Sequence, residues 1–373
     1  MKNSWNSLLI HVLIFSITIV WAAPASAGKT AADADPSKHP VYSTYKFSND
    51  TKVIDIAIPP VAIPAGVLSE TIKRDRILLQ ALHKMGIELR FHPFQKGKDA
   101  NFFMRRGDVE AAIFADIPAL TLAATSDAKV VAVAKQGFSS IVTNGHKQIN
   151  DLKGKRIGNA PGSTAHYALL RTLASTGLKE SDVKLVPMDA GEMPGALASG
   201  KIDAFAAWEP TPAIALNNNQ DAVVINRFIS MSFLYFSKSF ADRNPEAARQ
   251  IVAALVRAIT WLKQDQRNLL SATRWTMEAN KALTGKEMPL SLEQAAALTT
   301  SDILSIPSSA VIPAADLQKQ GYLFKAFEFF KANGLLPAET GWDKTRANFD
   351  NSILSEVLAK PARYGIKKFN YSR

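Results

Sequence analysis

Apolar and polar positions along the chain follow two periods that alternate from Val53 onward. Short apolar runs, such as VIDIAI at 53–58 and VEAAIFA at 109–115, predict strands, whereas apolar residues three and four positions apart predict the helices between them. The alternation occurs in two series, the second of which runs from Asp151 to Asn226. Strands that alternate with helices indicate an α/β fold in which open, mostly parallel sheets are flanked by helices. Two short series of this kind predict two lobes.

The pattern changes on either side of these two series. Residues 28–50 are polar and rich in turn-forming residues without a sustained period, which predicts a flexible lead-in. After Asn226 one more strand, SFLYFS, is followed from Pro245 by a helix with an apolar stripe, and the remaining chain is mostly helical. The chain has 373 residues, which is enough for two domains of about 100–200 residues each.

The first residues have the pattern of a secretory signal peptide. Lys2 precedes the apolar run LLIHVLIFSITIV at 8–20, and Ala25-Ser26-Ala27 provides a small-residue cleavage site before Gly28. The run is shorter than the roughly 20 residues that a membrane-spanning helix needs. The chain contains no cysteine, which excludes disulfides, a thiolate nucleophile and a lipid anchor at the cleavage site. We therefore expect residues 1–27 to be removed and the protein to be periplasmic, and not a lipoprotein.

Charge and motifs exclude several classes of function. The net charge of +11 fits an anionic small molecule or a nucleic acid. Lysine and arginine are scattered, with no run longer than a pair, so nucleic-acid binding is not expected. The six histidines form neither an H-x-x-x-H nor an H-E-x-x-H pattern, so no metal is expected either. No G-x-x-x-x-G-K-[ST] loop is present, so the chain is not itself an ATPase, and no cofactor is predicted.

The stretch IGNAPGSTAHYALLRTL at 157–173 places the start of a helix just after the end of a strand. The first N–H groups of a helix have no partner within it and lie at the positive end of its dipole, so they can bind a small anion. Ser163 and Thr164 could cap this helix or donate their hydroxyls to a ligand. Ser163 with His166 is conceivable as a nucleophile and base, but the G-x-S-x-G elbow is missing. His166 as a packing or solvent-facing residue is the favoured interpretation.

Three further segments follow strands in the same way: Pro59-Pro60, Asp116-Ile117-Pro118 and Trp208-Glu209-Pro210. Ligands of open α/β sheets bind at the carboxyl ends of strands, which makes these segments candidates for the same site. Trp208 could form the wall of an apolar pocket or belong to the core. Glu209 could hold a ligand amine or a loop N–H, or it could be a solvated carboxylate at a helix start.

The run from Asp151 to Pro210 resembles the second lobe of substrate-binding proteins of ABC transporters, in the nitrate/sulfonate/taurine family. The resemblance rests on DLKGKRI, then GSTAHY at a helix start, then ALASGKIDAFAAWEP, in this order and spacing. FADIPALTLA is similar to the family's loop in the first lobe, and NFDNSILSEVL is similar to its C-terminal helix. The likeness covers nearly everything after Val53.

The resemblance implies a monomeric periplasmic-binding-protein fold of type II, whose two lobes close on a small anion and present it to a membrane permease with its ATPase. Lobe 1 would comprise 51–144 and 227–373, and lobe 2 would comprise 145–226, with two crossings between them. By the same resemblance, the anionic group would contact Ser163, Thr164 and the backbone of Ala165. The facing lobe would contribute Asp116 and Ile117, and the tail of the ligand would lie beside Trp208 and Glu209.

The chain departs from this family after its first strand. Sulfonate-binding members often have a polar residue there, commonly glutamine, whereas this chain has the apolar loop Pro59-Pro60-Val61-Ala62-Ile63. Pro60 is therefore included as a candidate contact for a bulkier or less polar tail, and the solute stays open among sulfonates, taurine and nitrate. Two alternatives remain: an enzyme on the same fold, which the lack of cysteine disfavours, and a ligand sensor for a membrane receptor.

Overall fold

The structure of the protein, a computed structural model, describes residues 35–145, 148–303 and 310–371. The predicted signal peptide at 1–27 lies outside these residues. The strands are β1 (Val53–Ile58), β2 (Glu88–Pro93), β3 (Ala111–Ala115), β4 (Ala128–Asn144), β5 (Arg156–Asn159), β6 (Lys184–Pro187), β7 (Ala204–Trp208) and β8 (Ala222–Ser237). The first seven helices are α1 (Ala65–Lys73), α2 (Arg76–Lys84), α3 (Gly97–Arg106), α4 (Asp116–Thr125), α5 (Thr164–Ser175), α6 (Met193–Ala198) and α7 (Thr211–Asn218). The C-terminal helices are α8 (Lys238–Arg243), α9 (Pro245–Gln264), α10 (Gln266–Thr284), α11 (Leu292–Ile303), α12 (Tyr322–Ala332), α13 (Trp342–Ala347) and α14 (Ser352–Ala359).

All of these strands belong to one sheet with the order β2-β1-β3-β8-β4-β7-β5-β6. β1 pairs in parallel with β2 and β3 at one end, and β5 pairs in parallel with β6 and β7 at the other. Between these groups β4 and β8 run antiparallel to each other along their whole length. We call β1, β2 and β3 the first half of the sheet and β5, β6 and β7 the second half. β4 and β8 belong to both halves. Helices flank both halves, so the predicted α/β architecture is confirmed.

β4 and β8 are 17 and 16 residues long, and each runs through both halves of the sheet. In each of these regions the sequence predicts two separate strands: VVAVAKQ at 130–136 and SSIVTN at 139–144 in the first, and DAVVIN at 221–226 and SFLYFS at 232–237 in the second. The structure corrects this, since continuous pairing with β8 carries β4 through Gly137. Residues 139–143 already pair with β7 of the second half. The chain therefore runs from one half of the sheet to the other inside β4 and again inside β8.

The apolar pattern of VLSETIKRDRILLQALHKMG at 67–86 predicts one helix, whereas the structure has two, α1 and α2. Asp75 separates α1 from α2, and its carboxylate accepts hydrogen bonds from the N–H groups of Ile77 and Leu78 at 2.9 and 3.1 Å. An aspartate cap satisfies donors that have no partner inside the new helix, so it favours a fresh helix start at this point. Gly86 follows the second helix with a φ of +69°, the left-handed conformation that glycine adopts at low cost.

The two halves differ in how their cores are built. In the first half, one large core packs the sheet against α9, whose Ile251, Leu255 and Ile259 are almost fully buried. In the second half, two smaller cores lie on opposite faces of the sheet. One contains Ile157, Leu169 and Leu173, and the other contains Met193, Leu197 and Phe205. Burial of apolar surface on both faces explains why β7, with the sequence AFAAW, has no charged or amide side chain.

The described part of the lead-in, residues 35–50, packs against the first half. Tyr42 is 1 % exposed, and its hydroxyl accepts a hydrogen bond from the N–H of Gln95 at 2.9 Å. Tyr45 and Phe47 pack beside it and contact the ring of His92. In this part of the lead-in, three aromatic side chains of a polar segment pack on a common apolar surface. In the residues that the structure describes, no helix is long and apolar enough to cross a membrane.

Candidate functional site

A cleft lies where β3, β4, β7 and β8 meet, between the two halves of the molecule. It encloses about 700 Å³ of empty space, part of which is open to solvent. Most of its lining is apolar, and the lining residues come from both halves and from the two shared strands. They include Pro59, Ala62, Ile63, Phe114, Ala115, Pro118, Lys135, Ser139, Ala160, Pro161, Gly162, Ser163, Thr164, Trp208, Ser230 and Ser232.

The start of α5 forms one wall of the cleft, as the sequence predicts. Ser163 is the N-cap residue, and its Oγ accepts the N–H of His166 at 3.1 Å. The N–H groups of Thr164 and Ala165, the first two residues of the helix, have no hydrogen-bond partner among the described residues. Both groups therefore provide donors at the positive end of a helix dipole.

His166 shapes the loop before this helix. Its Nδ1 accepts a hydrogen bond from the N–H of Gly162 at 3.3 Å, and Gly162 has a φ of +75°. A ring nitrogen can accept only when it carries no proton, so this contact needs the neutral imidazole. Burial lowers the pKa of His166 from 6.5 to about 4 and keeps it neutral at pH 7. His166 is thus a packed residue that orients the loop, and its nitrogen is used by the backbone rather than by Ser163.

Thr164 and Asp116 are brought together across the cleft. The hydroxyl of Thr164, in the second half, donates to the carboxylate of Asp116, in the first half. The same carboxylate accepts the N–H of Met231 in β8 and the hydroxyl of Tyr322 in α12, each at 2.9 Å. Burial raises the pKa of Asp116, and its hydrogen bonds with Thr164, Met231 and Tyr322 act in the opposite direction. Asp116 is 0 % exposed, so it joins three elements rather than lining the cleft.

The other predicted residues fall into two groups. Trp208 lines the cleft at the carboxyl end of β7. The carboxylate of Glu209, the next residue along the chain, accepts the N–H of Ala213 in α7 at 3.2 Å. Ile117 is fully buried in the core of the first half, and Pro60 lies buried next to the lining residue Pro59.

Further contacts between the halves surround the cleft. The N–H of Ile63 donates to the carbonyl of Glu209 at 3.1 Å. At the rim, Lys96 Nζ lies 2.5 Å from Asp189 Oδ1. The two halves are therefore in contact beside the cleft as well as at Thr164 and Asp116.

Reasoning from the sequence missed four polar residues on the floor of the cleft: Lys135 and Ser139 in β4, and Ser230 and Ser232 in β8. They lie in the middle of long strands, whereas the sequence pattern points to site residues at strand ends. The local signal is the polar interruption AKQGFSS at 134–140, which by itself predicts a break between strands. Among the described residues, no cluster of three or more histidine, aspartate or glutamate side chains could hold a metal ion.

Comparison with known proteins places the chain in a family. The model of the NMT1-like family matches residues 81–276, just over half of the 373 residues. The chain belongs to the NMT1-like family. This NMT1-like protein is 31% identical over 175 residues to a protein of Brucella abortus (strain 2308) that is named as a binding protein, a match that covers 44% of this chain and 54% of the other. The chain thus aligns with about half the length of that curated relative.

Two relatives from Escherichia coli K12 have more specific names. The taurine-binding periplasmic protein is 24% identical over 200 residues, which cover 48% of this chain and 62% of that protein. The protein named for binding aliphatic sulfonates is 26% identical over 136 residues, which cover 35% and 42%. The resemblance of this NMT1-like protein to sulfonate- and taurine-binding proteins is thereby confirmed.

Solved structures show the same fold. The alkanesulfonate-binding protein SsuA from Xanthomonas axonopodis pv. citri, bound to MOPS, superposes with a TM-score of 0.59 at 22% identity and covers 80% of this chain and 99% of its own. The desulfurization enzyme DSZB superposes with a TM-score of 0.52 at 17% identity and covers 83% and 99%. At these identities the likeness concerns the fold alone, and this fold serves both a binding protein and an enzyme.

Proposed function

We propose that this NMT1-like protein is the periplasmic solute-binding component of an ABC importer, which captures a small organic anion between two lobes and delivers it to a membrane permease. The observation that carries the proposal is the mostly apolar cleft between the two halves, with the unpartnered N–H groups of Thr164 and Ala165 at one wall. Such a site offers donors to an oxyanion and an apolar surface to an organic tail. The names of the relatives from Escherichia coli support a sulfonate or taurine-like solute.

In this proposal the two halves of the sheet are the lobes, and the lobes move about the middle of β4 and β8. Gly137 in β4 is paired with Ser230 in β8 at this point. Opening would separate Thr164 from Asp116 and Lys96 from Asp189, because each pair joins the two halves. Closure around a ligand by hinge motion is a common conformational change in two-lobed binding proteins.

The proposed site keeps four of the eight residues that the sequence indicated: Ser163, Thr164, Ala165 and Trp208. Thr164 and Ala165 contribute N–H groups, Ser163 contributes the hydrogen of its hydroxyl, and Trp208 lies beside the tail. Asp116 and Glu209 take structural roles: the first links the halves, and the second accepts a hydrogen bond at the start of α7. The predominance of apolar lining favours an organic anion over a bare inorganic one such as nitrate.

Thermal unfolding with a ligand panel tests the proposal. The panel contains taurine, aliphatic and aromatic sulfonates, nitrate and bicarbonate, each added to the purified mature protein. A ligand at about 100 times its Kd adds about 2.7 kcal/mol to the free energy of unfolding, which raises the melting temperature by several degrees. We expect at least one organic anion to do so and to decrease the open fraction seen by small-angle X-ray scattering. A panel without any shift contradicts the proposal.

The second candidate function is that of an enzyme on the same fold, and the observation that favours it is the likeness to DSZB. The lack of cysteine excludes a thiolate nucleophile, and His166 is engaged by the N–H of Gly162. Incubation of the protein with whichever ligand binds, followed by product analysis, separates the two functions. A binding protein returns the ligand unchanged.

A further inference from the structure

The connection between β2 and α3 lines the cleft from the first half of the molecule. We call residues 94–98, which join β2 to the first turn of α3, the rim loop. Its residues that line the cleft are Gln95, Lys96, Gly97 and Lys98. A Cβ at Gly97 would lie 2.6 Å from Cγ of Pro118, which also lines the cleft. On its inner side the rim loop is therefore packed directly against the cleft wall.

The rim loop also reaches the second half. Lys96 Nζ lies 2.5 Å from Asp189 Oδ1. The aliphatic stem of Lys98 passes beside Gly162, since a Cβ at Gly162 would lie 3.6 Å from Lys98 Cδ. Gly162 directly precedes Ser163, the N-cap residue of α5. A shift of the rim loop would thus act on the contact between the halves and on the loop that leads into the proposed anion site.

The lead-in, residues 35–50, holds the rim loop from the outer side. The hydroxyl of Tyr42 accepts the N–H of Gln95 at 2.9 Å, and the hydroxyl of Tyr45 donates to the carbonyl of Pro93. These two hydrogen bonds attach the backbone on either side of Phe94, which is 0 % exposed. The ring centroid of Phe94 lies 4.7 Å from that of Tyr42 and 5.6 Å from that of Tyr45. The backbone here is therefore fixed by directional bonds as well as by apolar packing.

The two hydroxyls distinguish this arrangement from a simple cover over the core. A segment that only covered apolar surface would need the rings of Tyr42 and Tyr45 and no hydroxyl on either of them. Here both hydroxyls pair with backbone groups just where β2 ends, at Pro93 and Gln95. Backbone groups in a connection need a partner from outside the sheet or helix, and a side chain that supplies one fixes the path of the chain.

We propose that the lead-in is a positioning segment of the binding cleft, with Tyr42 and Tyr45 as its positioning residues. They hold the rim loop where Lys96 and Lys98 meet the second half, and they thereby favour the arrangement in which the two halves enclose the anion. None of residues 35–50 lines the cleft, so they act through the rim loop. This inference rests on the proposed function, and it adds that ligand affinity depends on a segment outside the cleft.

The experiment removes the two hydroxyls and keeps the two rings. The variant is Tyr42→Phe/Tyr45→Phe in the intact mature protein, and the probes are taurine, methanesulfonate and benzenesulfonate. Calorimetry well below the melting temperature measures the affinity of the folded protein, which a loss of stability alone does not change. For each anion that the wild type binds, we expect the affinity of the variant to fall about fivefold or more.

The matched control is Tyr364→Phe. It removes a tyrosine hydroxyl from the core of the first half, where Tyr364 reaches Glu246 Oε2 at 3.4 Å and does not line the cleft. We expect the control to bind each anion with the affinity of the wild type. The single variants Tyr42→Phe and Tyr45→Phe serve if the double variant does not fold, and each should show part of the loss.

A second measurement needs no ligand. Hydrogen exchange of the ligand-free protein, followed by mass spectrometry, should become faster in the double variant in peptides that cover 94–98 and in peptides that cover 160–166. The second stretch belongs to the other half of the molecule. A purely structural role of the two tyrosines in the first half would leave its exchange unchanged.

The outcomes separate this inference from the proposed function. A wild type that binds one of the anions, together with a double variant of the same affinity, overturns the inference alone. The inference is also wrong if the control loses as much affinity as the double variant, or if faster exchange is confined to the first half. A wild type that binds none of the three anions contradicts the proposed function, and the inference falls with it.

Discussion

Asp75 and Asp116 are both fully buried carboxylates at the start of a helix, yet they connect different parts of the molecule. Asp75 accepts the Nε–H of Arg257 at 2.7 Å, and Arg257 donates in turn to the carbonyl of Tyr364 at 2.7 Å. All of these contacts lie within the first half. Asp116 accepts from Thr164 of the second half, as well as from β8 and α12.

The difference is instructive because burial alone does not distinguish the two residues. A carboxylate whose partners all belong to one half contributes only to the stability of that half. A carboxylate whose partners lie in both halves also contributes to the equilibrium between open and closed arrangements. Variants of the two sites should therefore differ in the measurement that they affect, and the following predictions test this.

The largest effect is expected for Arg257→Met. The variant leaves the buried Asp75 carboxylate without its cation, and breaking a buried pair in this way costs about 3–5 kcal/mol. Urea unfolding should show this loss of stability, and the folded fraction should bind the ligand with the affinity of the wild type. A loss of ligand affinity in the folded variant would contradict the distinction that Asp75 affects stability alone whereas Asp116 also affects closure.

Acidification should destabilise the cleft loop through His166. Its pKa is about 4 in the folded protein, against 6.5 as the ordinary value, so the unfolded chain binds the proton first as the pH falls. The contribution of His166 to the free energy of unfolding is complete above pH 6.5 and is lost between pH 6.5 and pH 4. The total loss is about 3 kcal/mol.

The matched variant for this prediction is His166→Gln, which keeps an acceptor but does not titrate. Glu110 has the opposite effect on stability. Burial raises its pKa to about 7, so as the pH falls the folded protein takes up this proton before the unfolded chain does, which stabilises the folded protein. The difference in unfolding free energy between the wild type and His166→Gln, followed from pH 7 to pH 4, isolates the histidine. A constant difference would contradict the prediction.

Asp116→Asn should act mainly on closure. The amide has one acceptor oxygen for the three donors of Thr164, Met231 and Tyr322, so one or more of these bonds is lost, at about 1–3 kcal/mol. We expect a larger radius of gyration without ligand by small-angle scattering, and weaker binding of every ligand. An unchanged radius of gyration together with a stability loss like that of Arg257→Met would show that Asp116, like Asp75, contributes to stability and not to closure.

The smallest effect, about 1 kcal/mol, is expected for Thr164→Val. This variant removes the hydroxyl that donates to Asp116 but keeps the N–H groups of α5. Affinity should fall equally for a charged ligand and its neutral counterpart, and Thr164→Ser should restore it. A loss confined to charged ligands would instead assign the Thr164 hydroxyl to the anion.

Much of the fold could be predicted from local patterns. Apolar runs located β1, β3 and β7, because these strands are buried along most of their length and their own sequence is apolar. The start of α5 was also predictable, since Ser163 and Thr164 follow a strand and precede an apolar stripe. Trp208 at the end of β7 belongs to the same class of local signal.

Elements that depend on distant pairing were predicted less well. Gly137 is an ordinary place to end a strand when only its neighbours are considered, but β8 continues the pairing on the other side. Glu209 had several possible partners, and only the tertiary structure shows that its carboxylate accepts the N–H of Ala213. The described part of the lead-in, with Tyr42, packs because the apolar surface beneath it is assembled from β2 and α3.

The sequence by itself determined that the chain is an α/β protein with an N-terminal export signal pattern, no cysteine chemistry and a helix start suited to an anion. Only the tertiary structure brought Lys135 and Ser139 to the same floor as Ser230 and Ser232, and placed Thr164 against Asp116. The physical reason is that strand register and contacts between the halves join residues about 50 to 100 positions apart, as with Lys135 and Ser232. No local period along the chain encodes such pairs, because their free energy is gained only when both halves are folded and in contact.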